Sequence, residues 1–342
     1  MNALDGTDLL ADVLAGREVR RGRWRRFWDG VLDGTVAPVV PAGVLSAATA
    51  QLPPAGTLVG LAAALRGPQR AGEDPARGVN VVGTGGGPST FNVSTAAALL
   101  AAACGTPVVK SGSRAYTSSL GALDLVALLG APVATDRAGV AAAVAADGIA
   151  FAGTGVYPRE LLRTARLLLP VPMTSFGALL NALGPFIADV PVGAQLTGVS
   201  GRLPWRTAQR LADAHPLPVT LCASDVGADE LVSFARCVLR HPDGRTLTLE
   251  PGDLVPAAGG LDDLRPADRR DLVVEHLHDV LTGRGPAAAT ATVVLNAAAA
   301  LVAGGGATDL RTAVATATDA VAGGAAGDLL HRWSATRAQV PA

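Results

Sequence analysis

From residue 79 onward, short β-prone runs alternate with Ala-rich stretches of helical period, and this alternation limits the architectures open to the chain more than any other feature. Val79, Val81 and Val82 run into a cluster of glycines, and an Ala-rich helix is expected over 96–104, with Ser94 or Thr95 as its cap. Residues 107–109 read as a second buried strand, 119–129 as a helix ending at Gly130, 138–148 as another helix and 149–153 as another strand. Strand-like segments return in GAQLTGVS and PVTLCASD between 192 and 240, and His241-Pro-Asp-Gly carries hairpin chemistry. Residues 290–303 are almost all apolar, so that helix must be buried on every side. The pattern predicts an α/β fold with a mostly parallel central sheet covered on both faces.

The first 70 or so residues differ, with apolar positions at helical spacing punctuated by Pro38, Pro41, Pro53 and Pro54. Residues 67–78 are polar and rich in Gly and Pro, as a linker would be. The expected organisation is a small helical domain over 1–72, with 158–182 contributing, packed on a larger α/β domain over 78–342.

Bulk properties exclude several classes. The formal net charge is -1, so no global basic field draws the chain to nucleic acid. The local exception is Arg17, Arg20, Arg21, Arg23, Arg25 and Arg26 around Trp24, which reads first as a solvated helix face and second as a nucleic-acid patch. Cys104, Cys222 and Cys237 form no CxxC pair, and His276 and His278 fall on different faces of a helix, so neither a disulfide frame nor a zinc site is expected. No uninterrupted apolar run reaches the ~20 residues of a membrane helix. The start, MNALDGTDLLADVLAG, has acids before any base, unlike a signal peptide. A soluble, cytoplasmic protein is the expectation.

Four short patterns carry chemistry. Gly83-Thr84-Gly85-Gly86-Gly87 directly follows a strand, and consecutive glycines let backbone N–H groups approach an anion closely. Asn92-Val-Ser94-Thr95 offers amide and hydroxyl groups to phosphate oxygens, or a plain helix cap. Lys110-Ser111-Gly-Ser113-Arg114 follows the second strand, and Lys110 is the sole lysine among 28 Lys and Arg residues. A compact ammonium suits a crowded phosphate site where a planar guanidinium would not fit. Asp229-Glu230 suits Mg²⁺, which takes carboxylate oxygens together with substrate phosphates, or else is an exposed acidic pair.

In this order and spacing, these patterns resemble the anthranilate phosphoribosyltransferase family, whose motifs read GTGGD, FNxST, KHGNR, LGP, DE and LNAAAAL. The corresponding runs here are Gly83–Gly87, Phe91–Thr95, Lys110–Arg114, Leu183-Gly-Pro185, Asp229-Glu230 and Leu295–Leu301, covering most of the chain from about residue 28. The resemblance implies a helical domain on an α/β domain, a homodimer, and attack of an acceptor on C1 of phosphoribosyl pyrophosphate with Mg²⁺ as cofactor. It implies Lys110 and Arg114 as catalytic residues and Ser94, Asp229 and Glu230 as metal ligands. Substrate-binding positions are then Gly83, Thr84, Gly85, Gly86, Asn92, Ser94, Thr95, Lys110, Ser111, Ser113, Ser118, Ser119, Tyr157, Met173 and Phe176.

The departures bear on the acceptor. Gly87 and Asn80 stand where the family has aspartates, Ser111 and Ser113 replace His and Asn, and residues 167–173, LLLPVPM, offer no arginine to clamp a carboxylate. Burying an unpaired carboxylate is expensive. The expected acceptor is therefore neutral, flat and heteroaromatic. Two alternatives stay open: a nucleoside phosphorylase-like enzyme, suggested by the Ser-Gly-Ser-Arg run, and a non-catalytic nucleic-acid-binding relative of the family.

Overall fold

The computed structural model describes residues 6–66, 78–112 and 120–338. Four helices come first: α1 (Thr7–Leu14), α2 (Arg21–Asp33), α3 (Val39–Ala50) and α4 (Ala55–Leu65). Then follow β1 (Val79–Gly83), α5 (Val93–Ala103), β2 (Val108–Ser111), α6 (Ala122–Leu129), β3 (Val133–Ala134), α7 (Arg137–Asp147) and β4 (Ile149–Ala152). Helices α8 (Arg159–Leu167) and α9 (Gly177–Leu183) precede β5 (Ala194–Gly198), α10 (Trp205–Asp213) and β6 (Val219–Ser224). The chain continues through β7 (Cys237–Arg240), β8 (Thr246–Leu249), α11 (Val273–Leu281), α12 (Ala287–Ala303), α13 (Leu310–Ala322) and α14 (Ala325–Ala338).

The described residues divide into two compact units, the first within Met1–Glu73, Tyr157–Asp189 and Leu203–Pro216 and the second within Asp74–Val156, Val190–Arg202 and Leu217–Ala342. The first unit is helical. In it α2 packs on α4 and α8, α1 and α9 pack on α3, and α10 packs on α4. Its core holds Trp24, Phe27, Trp28, Leu45, Leu58 and Leu61, with Phe27 edge-on to both tryptophans. The buried Glu160 of α8 pairs with Arg25 of α2 at 3.0 Å, which supplies the partner that a buried carboxylate needs.

The second unit is built on an eight-stranded sheet in the order β3-β4-β2-β1-β5-β6-β7-β8. The strands from β3 to β6 run parallel, and β7 and β8 close the edge as an antiparallel hairpin across His241–Gly244. Helix α12 is buried along nearly its whole length against α5, and alanines on both let the backbones approach. Helix α5 starts at Val93, with neither Ser94 nor Thr95 as its cap: Asn92 is the N-cap residue, at φ 68°, and makes no side-chain cap bond. Its amide instead donates to the Leu120 carbonyl at 3.1 Å. Among the described residues, no helix is long and apolar enough to cross a membrane.

Candidate active site

β1 has β2 on one side and β5 on the other, so the chain leaves β1 towards one half of the sheet and returns to the other. Ligands of open parallel sheets bind at such a switch point, beyond the carboxyl ends of the strands. At that edge the glycine run leaves β1, Lys110 and Ser111 end β2, and Gly198 ends β5.

The loop Gly83–Gly87 closes against the segment 227–230. Gly85 N–H donates to Asp229 Oδ2 at 2.7 Å. A Cβ at Gly83 would run into that carboxylate, and one at Gly198 into the Asp229 carbonyl oxygen. A Cβ at Gly87 would stand 2.7 Å from the Gly227 carbonyl oxygen, so the position that lacks the family aspartate is also one where the backbones nearly touch. Thr84 is buried, and its Oγ1 accepts from Ser200 N–H at 2.9 Å.

Lys110 is 4% exposed, and its Nζ donates to the Ser111 carbonyl at 2.8 Å. Burial pulls its pKa down to about 8, against the opposing pull of Asp229 and Glu230. The same burial raises the Asp229 carboxyl, while the Gly85 N–H and Lys110 favour its charged form. Glu230 is pushed well above the ordinary carboxylate range by burial and by the neighbouring Asp229, with Thr90 and Lys110 opposing. Thr90 Oγ1 reaches Glu230 Oε1 at 3.4 Å.

These donors fit a hard divalent cation. Two neighbouring, desolvated carboxyls sit beside one ammonium; burial disfavours their charged forms, and a bound cation would favour them. No cluster of three or more His, Cys, Asp or Glu is arranged for a metal among the described residues. An Mg²⁺ ion held by the two carboxylates would take its remaining ligands from water and substrate oxygens.

Behind the site a polar chain crosses three strands. Asn80 Nδ2 donates to Gln195 Oε1 at 2.9 Å, and Gln195 Nε2 donates to Thr197 Oγ1 at 2.9 Å. Asn80 Oδ1 accepts from the Ser111 hydroxyl at 2.9 Å and from the Ser111 N–H at 3.3 Å. Ser111, expected to contact substrate, is thus fully buried with its hydroxyl hydrogen engaged. Asn296 of α12 holds the acidic loop from below: its Oδ1 accepts from Leu231 N–H at 3.1 Å and its Nδ2 donates to the Leu231 carbonyl at 2.6 Å. In the sequence this residue stands out only as the asparagine of the Leu295–Leu301 motif, with no role attached to it.

Gly83, Thr84, Gly85, Gly86, Asn92, Ser94, Thr95, Lys110, Ser111, Asp229 and Glu230 all belong to the second unit. Ser94 is half-buried, and Thr95 is fully buried with no hydrogen-bond partner on its Oγ1 among the described residues. Ser113, Arg114, Ser118 and Ser119 lie outside the described residues. Tyr157, Met173 and Phe176 belong to the first unit. Burial raises the Tyr157 hydroxyl to about 12. Phe176 lines a groove of about 520 Å³ between α3 and the stretch 167–176, with Leu168, Val171, Ala42, Ser46 and Thr49 among its walls. Of the basic cluster, Arg17 and Arg23 pair with Asp12, and Arg25 pairs with Asp29 and Glu160.

Residues 76–327 match the glycosyl transferase family, a/b domain. The chain is 35% identical over 328 residues to the anthranilate phosphoribosyltransferase of Methylobacterium radiotolerans, covering 94% of each chain. It is 29% identical over 333 residues to that of Bacillus licheniformis, covering 95% of this chain and 96% of the other. Among solved structures, the anthranilate phosphoribosyltransferase of Thermus thermophilus superposes with a TM-score of 0.77 at 28% identity, covering 95% of this chain and 98% of that one. The Saccharomyces cerevisiae enzyme, solved in complex with phosphoribosyl pyrophosphate and Mg, superposes with a TM-score of 0.70 at 21% identity over 96% of this chain and 92% of that one.

Proposed function

The chain belongs to the anthranilate phosphoribosyltransferase family, and from that premise we propose that it transfers the phosphoribosyl group of phosphoribosyl pyrophosphate to a neutral, flat, heteroaromatic acceptor, with Mg²⁺ as cofactor. The observation that carries the donor half is the grouping of the glycine loop, buried Lys110 and the Asp229-Glu230 pair at the switch point of the sheet.

The reaction forms a bond from an acceptor atom to C1 and breaks the bond from C1 to the pyrophosphate oxygen, which keeps the electron pair. Positive charge develops on the ribose and negative charge on the leaving group. Donors pre-aimed at that oxygen lower the barrier without reorganising. Lys110, with a pKa of about 8, still carries its proton near neutrality and can donate to the leaving pyrophosphate. The Gly85 N–H, now held by Asp229, passes from carboxylate to phosphate when the loop fills. Asn92, Ser94 and Thr95 add donors at the start of α5, and Arg114, Ser113, Ser118 and Ser119 complete the proposed set. Asp229 and Glu230, with Ser94, are the residues that would hold Mg²⁺, and the bound ion would supply charge neutralisation for the pyrophosphate.

The acceptor half rests on residues 167–173, where no cation is available for a carboxylate, and on Tyr157, Met173 and Phe176, which the first unit carries. A second reading, anthranilate as acceptor, is favoured by the names of relatives up to 35% identical. One assay separates the two. Protein, Mg²⁺, phosphoribosyl pyrophosphate and anthranilate are incubated, and loss of anthranilate fluorescence is followed. The neutral-acceptor reading expects no useful turnover with anthranilate and pyrophosphate release once a neutral heteroaromatic amine or base is supplied. Anthranilate turnover near ~1 s⁻¹, within the ordinary enzyme range, would establish the second reading. The family reading also brings a homodimer, checked by light scattering.

A further inference from the structure

Arg202 is a cation beside the glycine loop that no sequence pattern singled out. It lies in the turn after β5, and its neighbours fix that turn. Ser200 N–H donates to Thr84 Oγ1 at 2.9 Å, and Gly201 N–H donates to the Gly227 carbonyl at 3.2 Å. The turn is therefore tied both to the glycine loop and to the segment before Asp229. The Arg202 stem then lies across the open face of Gly86. A Cβ built at Gly86 would stand 2.8 Å from Arg202 Cδ and 3.3 Å from its Nε. Gly86 also sits at φ +80°, so a side chain there is opposed by both backbone strain and the arginine. Arg202 itself is exposed, and no ion pair engages its guanidinium among the described residues.

We propose that Arg202 is a further phosphate-binding residue, its guanidinium contacting the phosphate group seated on the Gly83–Gly87 loop; this rests on the reading of that loop as the phosphoribosyl pyrophosphate site. The chemistry follows from charge. Gly87 brings no carboxylate to the loop, so Asp229 and Glu230 are the acids beside it, and Lys110 is the cation on its buried side. A guanidinium at the rim adds a second positive charge from the solvent side, with paired N–H donors that match two phosphate oxygens. Its attraction grows as the C1–O bond breaks and charge gathers on the pyrophosphate. An arginine that was merely solvated would have no reason to lie over Gly86 on a turn hydrogen-bonded to the glycine loop.

The test is calorimetric titration of phosphoribosyl pyrophosphate with Mg²⁺ into the wild type, Arg202→Gln and Arg202→Lys, at several salt concentrations. Arg202→Gln should weaken binding about tenfold and flatten its salt dependence, the scale of one accessible charge-assisted contact. Arg202→Lys should recover part of the loss. The melting temperature should not move, because the side chain is exposed. Equal affinity and salt slope in Arg202→Gln would overturn the proposal and leave the donor site standing. Weakening that tracks a fall in melting temperature would also count against it. A wild type that binds no phosphoribosyl pyrophosphate would overturn both this proposal and the reading it rests on.

Discussion

Lys110 carries the protein's single ammonium at 4% exposure, in a chain that otherwise writes its bases as arginine. Holding that charge inside is costly, and Asp229 and Glu230 offset only part of the cost, since the pKa still falls to about 8. A desolvated cation is a strong phosphate partner because little water must be stripped from it when the anion arrives. Lys110→Ala should therefore weaken phosphoribosyl pyrophosphate binding by about 1.5–3 kcal/mol, the usual worth of a hydrogen bond to a charged group. Titration of the variant checks this, and unchanged affinity would remove Lys110 from the phosphate site. The lysine was legible in the sequence because it was singular. Asn80 was legible only as the absence of an aspartate, and its tie between Ser111 and Gln195 was not. That tie depends on strand register, which brings Asn80 opposite Gln195 across a β1–β5 pairing separated by more than a hundred residues. Arg202 was hidden for the same reason, as its position over Gly86 is set by hydrogen bonds from Ser200 and Gly201.

Elements were read most surely where local chemistry decides them. The turn after His241 closes a hairpin, with Gly244 at φ +88°, and Gly130 and Gly148 end their helices in the left-handed conformation. The start of α5 was misread because Ser94 and Thr95 look like caps, whereas the cap position falls to Asn92, a residue that tolerates positive φ. The same stretch is anchored by Phe91, whose N–H donates to the Leu264 carbonyl at 2.9 Å and whose ring meets His276 of α11 edge-on, 5.1 Å between centroids. Burial lowers the His276 pKa from its ordinary value of 6.5, and its Nε2 has no hydrogen-bond partner among the described residues. The unfolded chain then takes up this proton at a higher pH than the folded one. Stability is full above pH 6.5 and declines as pH falls from there towards the lower folded value. His276→Phe should flatten the profile below pH 6.5, as measured by denaturant midpoints. A variant with the same acid slope as the wild type would show that His276 titrates freely.

At the scale of the whole molecule the remaining question is whether its basic face serves a nucleic acid, as one alternative reading of the sequence allowed. Six arginines between residues 17 and 26 suggested a patch. Folding spends three of them. Arg17 and Arg23 share Asp12, while Arg25 divides its donors among Asp29, Glu160 and the Ala64 carbonyl. Trp24 and Trp28, the aromatics that could have stacked on bases, are buried at 0% and 1% exposure in the helical core. What is left on the surface is Arg20, Arg21 and Arg26, on a chain of net charge -1. Non-specific affinity scales with the number of phosphates neutralised, through the release of condensed counterions. Three cations release few, and screening at physiological ionic strength removes most of that gain. Filter binding at ~150 mM salt should therefore show only weak retention of DNA or RNA, falling further as salt is raised. Submicromolar retention under those conditions would mean that cations elsewhere join the three, and the binding-protein reading would then displace catalysis as the first explanation of this chain.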